Sequence, residues 1–166
     1  EPYPAYAAIG IRDGDEYRQL APTLLQIENE FYGTIRPKRP VASGERPLHA
    51  LGDRGVEYVE VRCMDLDPFC APGIAADTMR FLDIFLLHCA LSGSPPDSPQ
   101  EIATLSRNQH RVAERGRDAG LTLNRMGSEV SLAAWGTEIL DACTSIARAL
   151  DAARGGDAYR TALSAA

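Results

Sequence analysis

The sequence predicts an α+β fold, and three observations carry that expectation. Residues 24–32 and 56–64 alternate apolar and polar side chains with a period of two, the pattern of half-buried strands. Beyond Pro72-Gly73 the spacing of apolar residues becomes helical,. Strands therefore precede helices instead of alternating with them, which separates this order from a repeating βαβ arrangement. With 166 residues, 45% of them hydrophobic, the chain has enough apolar material for one core. We expect one partial domain over residues 1–166, strand-rich over 1–70 and helical over 71–166. A fragment is expected because Glu1 stands where Met would open a complete chain.

Residues 8–12 read as a short strand running into an Asp13-Gly14-Asp15 turn, because Asp-Gly tolerates the left-handed backbone of a tight hairpin,. The chain returns through Leu20-Ala21-Pro22 into the 24–32 strand. There Leu25, Ile27, Asn29 and Phe31 share one face, and Gln26, Glu28, Glu30 and Tyr32 the other. From Gly33 to Pro47, four breakers (Pro37, Pro40, Gly44, Pro47) sit among Arg36, Lys38, Arg39 and Arg46. That mixture excludes helix interior and central strand and predicts a basic loop, exposed or lining a site. The 56–64 strand follows, with Val59, Val61 and Cys63 on an apolar face and Tyr58, Glu60 and Arg62 opposite. Asp65-Leu66-Asp67-Pro68 ends it.

The helical half opens with Asp77 and Thr78 as candidate caps of a helix through Leu91. It is apolar almost all round, and so is expected to be buried, and Ser92-Gly93-Ser94-Pro95-Pro96 ends it,. Ser98-Pro99-Gln100-Glu101 is a capping box with Pro at the first helical position. The helix it opens carries Ile102, Leu105, Gln109 and Val112 on one face. A third helix is expected over 129–154, with Leu132, Ile139, Leu140, Cys143, Ile146, Ala147 and Leu150 as its stripe. It stops at Gly155-Gly156, and Asp157 caps a short last helix,.

A net charge of −6 and a pI near 5.1 argue against a sequence-independent grip on nucleic acid or an anionic membrane. The apolar run from Ile84 to Leu91 is far shorter than a membrane span needs,. Cys63, Cys70, Cys89 and Cys143 form no CxxC pair and no metal-finger spacing. They read as reduced, packed thiols of a cytoplasmic protein.

Glu60-Val61-Arg62 sets a carboxylate and a guanidinium on one strand face. An edge strand can carry such a pair as a solvated ion pair. Phosphoryl chemistry uses the same two groups, the carboxylate for Mg²⁺, which prefers hard oxygen ligands, and the arginine for a bidentate hold on phosphate. Glu28 and Glu30 with Tyr32 make a second acidic face, which is either a solvent face or one that a cation occupies. Arg36, Lys38 and Arg39 either neutralise a polyphosphate or keep a loop soluble. No Walker loop or dinucleotide fingerprint is present. A nucleotide would therefore be held by carboxylate-bound metal and basic side chains on strands.

Leu25-Gln26-Ile27-Glu28-Asn29-Glu30-Phe31-Tyr32, Ile35-Arg36-Pro37-Lys38-Arg39, Gly55-Val56-Glu57-Tyr58-Val59-Glu60-Val61-Arg62 and Asp67-Pro68-Phe69 together resemble glutamate–cysteine ligase of the proteobacterial type. Arg80-Phe81-Leu82-Asp83, Gly120-Leu121-Thr122-Leu123 and Gly155-Gly156-Asp157-Ala158-Tyr159 extend the likeness over nearly the whole chain.

The resemblance implies an ATP-dependent ligase of glutathione biosynthesis, with Mg²⁺ or Mn²⁺ as metal and glutamate, cysteine and ATP as small-molecule substrates. The γ-carboxylate of glutamate is phosphorylated, and the cysteine amine attacks the acyl phosphate to give γ-glutamylcysteine. It further implies an antiparallel sheet resembling the glutamine synthetase and guanidino kinase fold, with a concave polar face. Position by position, Glu60 matches a metal-coordinating carboxylate, Arg62 the arginine that meets the transferring phosphate, and Tyr32 a tyrosine contacting the cysteine substrate. Glu28 and Glu30 become candidate further metal carboxylates, and Arg36 and Lys38 candidate nucleotide-binding cations.

Full-length members are much longer, so the chain is expected to be an internal or carboxy-terminal piece. It would hold one side of the site, be inactive alone, and expose strand edges that lower its solubility. Two other readings stand beside this one: a non-catalytic truncated product that binds nucleotide weakly or docks a partner, and another carboxylate–amine ligase on the same scaffold.

Overall fold

The computed structural model describes residues 2–23, 25–26 and 33–166. It divides into two compact units, Glu1–Asp65 and Leu66–Ala166. Six helices and three two-stranded antiparallel sheets among the described residues make the class α+β.

In the first unit, α1 (Pro4–Ile9) occupies part of the stretch expected as a strand. Pro4 supplies a preset φ at the first turn, and Ala5, Ala7 and Ala8 favour helix, which outweighs a two-residue apolar pattern. The Asp-Gly turn is where the sequence puts it. It joins β1 (Arg12–Asp13) to β2 (Glu16–Tyr17), with Gly14 at φ 61° and the Arg12 guanidinium 4.1 Å from the Tyr17 ring centroid. The Gln19 side chain donates to the carbonyls of Tyr6 and Gly10 at 2.6 and 3.0 Å, tying the hairpin to the end of α1. Of the strand expected over 24–32, Leu24 and residues 27–32 lie outside the described residues. Leu25 and Gln26 are not in a strand. The Gln26 amide is used by the preceding turn instead, accepting from Leu20 and Ala21 N–H at 2.8 and 3.1 Å.

The expected basic loop contains a strand and leads into a helix. β3 (Ile35–Lys38) pairs antiparallel with β4 (Tyr58–Val61). Arg62 N–H donates to Thr34 O at 2.8 Å. The alternation of an antiparallel ladder then puts Pro37 and Val59 at a pair that exchanges no hydrogen bonds. Pro37 is tolerated there because no donor is asked of it. The ladder ends at Val61, short of the expected Met64, because Cys63 takes φ 61° and turns the chain away,. Between the strands, α2 (Pro47–Arg54) starts on Pro47 and ends at Gly55, φ 74°. Arg54 fastens it by bonding both oxygens of Glu45, at 2.5 and 2.9 Å.

The second unit has two layers of packing. α3 (Ala76–Leu91), α5 (Leu132–Arg154) and α6 (Ala158–Ser164) surround Ile84, Cys143 and Ala147, each 0% exposed, with Phe85, Ile139, Ile146 and Leu150 packed around them. The stripe expected on the third helix is therefore the packed one. The helix itself starts at Leu132 rather than 129, because residues 128–131 belong to a strand, and Ser131 accepts from Ala134 N–H at its start. α3 is less enclosed than its composition suggests, with Leu87 and Leu91 exposed. Asp77 and Thr78 do not cap it either. Ala75 holds that position, and Asp77 pairs with Arg80 at 2.6 Å inside the first turn.

The capping box is present: Ser98 Oγ accepts from Glu101 N–H at 3.2 Å and opens α4 (Pro99–Arg115). β5 (Thr122–Arg125) and β6 (Ser128–Ser131), an unexpected hairpin, turn at Met126 and Gly127, both with positive φ. α4 meets this hairpin through Asn108 and Arg111, not through its apolar stripe, and Ile102 and Leu105 stay about half exposed. Asn108 explains the choice, because its amide donates to Asn124 O at 2.7 Å and accepts from Asn124 N–H at 3.0 Å. Arg111 adds contacts to Glu129 and Thr122 at 3.3 Å. α5 stops at Gly155 as expected. Asp157 precedes α6 without a side-chain cap. Asp151, 4% exposed, caps α6 instead, accepting from the N–H groups of Tyr159 and Arg160 at 2.9 and 3.2 Å.

Of the four thiols, only Cys143 is packed. Cys70 is half-buried, and Cys63 and Cys89 are exposed. No helix among the described residues is long and apolar enough to cross a membrane.

Candidate active site

The β3–β4 register decides which predicted site residues meet. Arg36 lies opposite Glu60, and Lys38 opposite Tyr58. Residues directly across an antiparallel ladder share a face, and so do alternate residues along a strand. Arg36, Lys38, Tyr58 and Glu60 therefore stand on one face. Arg62, opposite Thr34 just past the ladder, continues it. Sequence reasoning put Arg36 and Lys38 on a loop and so missed this juxtaposition. The signal was there in their period-two spacing around Pro37.

On that face Lys38 Nζ lies 3.1 Å from Glu60 Oε2, and Arg62 Nε lies 3.8 Å from Glu60 Oε1. Both carboxylate oxygens have a cation beside them. The Lys38 ammonium, with Arg62 and Arg36 adding at longer range, holds the Glu60 carboxyl below the usual carboxylate range against the opposing effect of desolvation. Glu60 is therefore ionised at neutral pH. The three side chains of this cluster are between a third and two-fifths exposed, open enough for a ligand to reach them. Among the described residues, this face carries Arg36, Lys38 and Arg62 against Glu60, a local excess of positive charge that suits an anion of more than one charge.

Arg39, grouped with Arg36 and Lys38 in the sequence, is committed elsewhere. Its Nε donates to Gly55 O at 2.6 Å, and a terminal nitrogen lies 3.4 Å from Glu57. The opposite face of the ladder is less covered than a core face should be, since Ile35 and Val59 remain 46% and 41% exposed. Tyr32, Glu28 and Glu30 lie outside the described residues.

Among the described residues, no three His, Cys, Asp or Glu side chains come together as a metal cage. Among the described residues, Glu60 is the carboxylate this face offers as a hard-oxygen ligand, and it is half-buried. Mg²⁺ is commonly held by one or two carboxylates together with substrate phosphates, not by an all-protein cage. Glu60 fits that use, as one protein ligand beside two cations of a kind that can meet phosphate,. In the second unit, a cavity of about 700 Å³ is lined by Leu105, Arg125, Trp135 and their neighbours. It contains none of the site residues expected from the sequence.

The family model described as glutamate–cysteine ligase matches residues 1–112. Glutamate–cysteine ligase of Azotobacter vinelandii is 52% identical over 164 residues, covering 99% of this chain and 31% of the relative. The enzyme of that name from Bordetella parapertussis is 50% identical over 167 residues, covering 99% and 32%. The chain thus spans about a third of the length of the curated relatives it matches. Among solved structures, glutamate–cysteine ligase from Francisella tularensis in complex with AMP superposes with a TM-score of 0.77 at 35% identity, over 99% of this chain and 32% of that one.

Proposed function

The chain belongs to the glutamate–cysteine ligase family, and from that premise we propose that residues 1–166 carry one side of an ATP-dependent ligase site, within a larger domain that the full-length protein completes. The reaction joins glutamate to cysteine through γ-glutamyl phosphate. The γ-carboxylate oxygen of glutamate attacks the terminal phosphorus of ATP and ADP leaves. The cysteine amine then attacks the acyl carbon, loses a proton and displaces phosphate. The observation that supports this most is the β3–β4 face, where an ionised carboxylate is set between Lys38 and Arg62 with Arg36 across the ladder. The AMP held by the Francisella relative is in keeping with an adenine nucleotide as co-substrate.

Each residue has a part that its chemistry suits. Arg62 offers a planar fork to the transferring phosphoryl oxygens, where charge is spread in the transition state. Lys38 and Arg36 neutralise the remaining phosphate charge as fixed cations, which costs little reorganisation when the reaction occurs. Glu60, kept ionised, is the protein ligand for Mg²⁺ or Mn²⁺, with Glu28 and Glu30 as further metal carboxylates. Bound there, the metal would offset phosphate charge in the manner general to phosphoryl transfer. Tyr32 contacts the cysteine. An acyl phosphate also has to be shielded from water, and one wall cannot do that, so residues 1–166 alone are inactive. The free state of all four cysteines suits the reducing cytoplasm.

The test is formation of γ-glutamylcysteine, followed by mass spectrometry, in a full-length member carrying this segment, in its Glu60→Gln variant and in residues 1–166 alone. Product is expected only from the first. Product from the short chain would overturn the reading of a divided site, and an unimpaired Glu60→Gln enzyme would remove Glu60 from the metal.

A further inference from the structure

We propose that Lys38 is the displaceable counter-ion of Glu60: it neutralises the carboxylate while the β3–β4 face is empty, and gives it up to a metal-bound nucleotide whose phosphates the freed ammonium then meets. This rests on the proposed nucleotide site and adds to it a sequence of events at that site. The argument begins with charge. Glu60 has Lys38 at 3.1 Å on one oxygen and Arg62 at 3.8 Å on the other, so its hard-oxygen ligand positions face cations already. A divalent ion that coordinates this carboxylate has to take an oxygen beside which Lys38 or Arg62 already stands, and like charges a few ångströms apart repel. One of the neighbouring cations has to move.

Lys38 is the one built to move. It reaches Glu60 diagonally, since its own partner across the ladder is Tyr58. The contact therefore depends on the side chain and not on the backbone pairing. Its head is a compact point charge on a flexible four-carbon stem, whereas the arginine fork is rigid and has a preferred approach to phosphate. The Lys38 and Glu60 side chains are 34% and 39% exposed, so exchange needs no opening of packed structure. The ammonium that leaves the carboxylate finds phosphate oxygens beside the same metal. One charge contact is exchanged for another.

Two binding measurements on a full-length member and its Lys38→Met variant test this, with electron paramagnetic resonance reporting free Mn²⁺. The first uses Mn²⁺ alone. Removing the competing ammonium should tighten binding roughly two- to fivefold, the worth of an exposed ion pair. The second uses Mn²⁺ with a non-hydrolysable ATP analogue. Losing a charged donor to phosphate should weaken binding by on the order of tenfold. The opposite signs are the diagnostic result, because a merely structural role for Lys38 would move both in the same direction. Both affinities weakening, or neither changing, overturns the exchange. Lys38→Gln repeats the comparison should Lys38→Met fail to fold. If the unaltered protein binds no Mn²⁺–nucleotide at all, the proposed site itself fails, an outcome distinct from both affinities shifting together.

Discussion

Asn108 offers a direct measure of what fastens the β5–β6 hairpin to α4. The residue is 7% exposed, and its side chain makes both backbone hydrogen bonds of Asn124, as a neighbouring strand would. Only one orientation of the amide satisfies both. Asn108→Ala removes two hydrogen bonds worth about 0.5–1.5 kcal/mol each and leaves a donor and an acceptor with restricted access to water, so a loss of about 1–3 kcal/mol is expected. For a unit of this size, each kcal/mol lowers Tm by roughly 4–8 °C. Asn108→Asp is the informative companion. The carboxylate still accepts from Asn124 N–H but faces the Asn124 carbonyl without a proton to donate. That contact favours the protonated form and raises the carboxyl pKa on folding. Its stabilisation is then present at low pH and lost as pH rises through the folded value. The assay is urea unfolding of the 166-residue chain at several pH values, with hydrogen exchange at the Asn124 amide. If Asn108→Ala stayed within about 0.5 kcal/mol of the parent, where surface changes fall, and Asn124 protection were unchanged, the claim that Asn108 holds the hairpin would be wrong.

Three further outcomes follow from the packing and charge described. Ile84, fully buried in the three-helix core, should cost about 2–5 kcal/mol on truncation to Ala, with the urea midpoint falling at unchanged slope; a loss under about 1 kcal/mol would mean that α3, α5 and α6 do not close around it. The Arg54 guanidinium, helped by Ala42 N–H, holds the Glu45 carboxyl down to about 2 from an ordinary value of 4.5. A depressed carboxylate stabilises the folded state above its unfolded pKa, and that contribution fades as pH falls through the folded value. The stability difference between the parent and Glu45→Gln should therefore shrink between pH 4.5 and about 2, and a difference independent of pH there would contradict the pairing. In a full-length member, Arg62→Lys should lose on the order of 10²–10³ in rate although charge is kept, and kinetics within a factor of about two of the parent would place Arg62 outside the site.

Several of these elements were legible in the sequence because local chemistry fixed them. Ser98 caps α4, Gly14 turns the first hairpin and Gly155 stops α5, each through its immediate neighbours. The face of Tyr58, Glu60 and Arg62 follows from period two alone. The misreadings came where a tertiary partner decided. Pro37 looks like a strand breaker until β4 offers it a pair that needs no hydrogen bond. The α2 helix has eight residues with Gly52 inside it and follows a stretch broken by Pro and Gly, so it is too short to stand out. β5 and β6 turn on Met126-Gly127 instead of the Asn-Gly or Asp-Gly that marks such hairpins,. Asp157 has the sequence position of a cap, yet the α6 N–H groups are met by Asp151, a turn and more back on α5. The apolar stripe of α4 predicted the wrong packed face, because the hairpin is held through the backbone of Asn124.

The central claim is that the β3–β4 face belongs to a site joining two amino acids at the expense of ATP. It is tested most directly by phosphate release from a full-length member with ATP and metal present, and glutamate or cysteine omitted in turn. The account predicts fast release only when both amino acids are supplied, with Glu60→Gln and Arg62→Lys abolishing most of it. Release at the same rate without cysteine, or unaffected by either substitution, would contradict it.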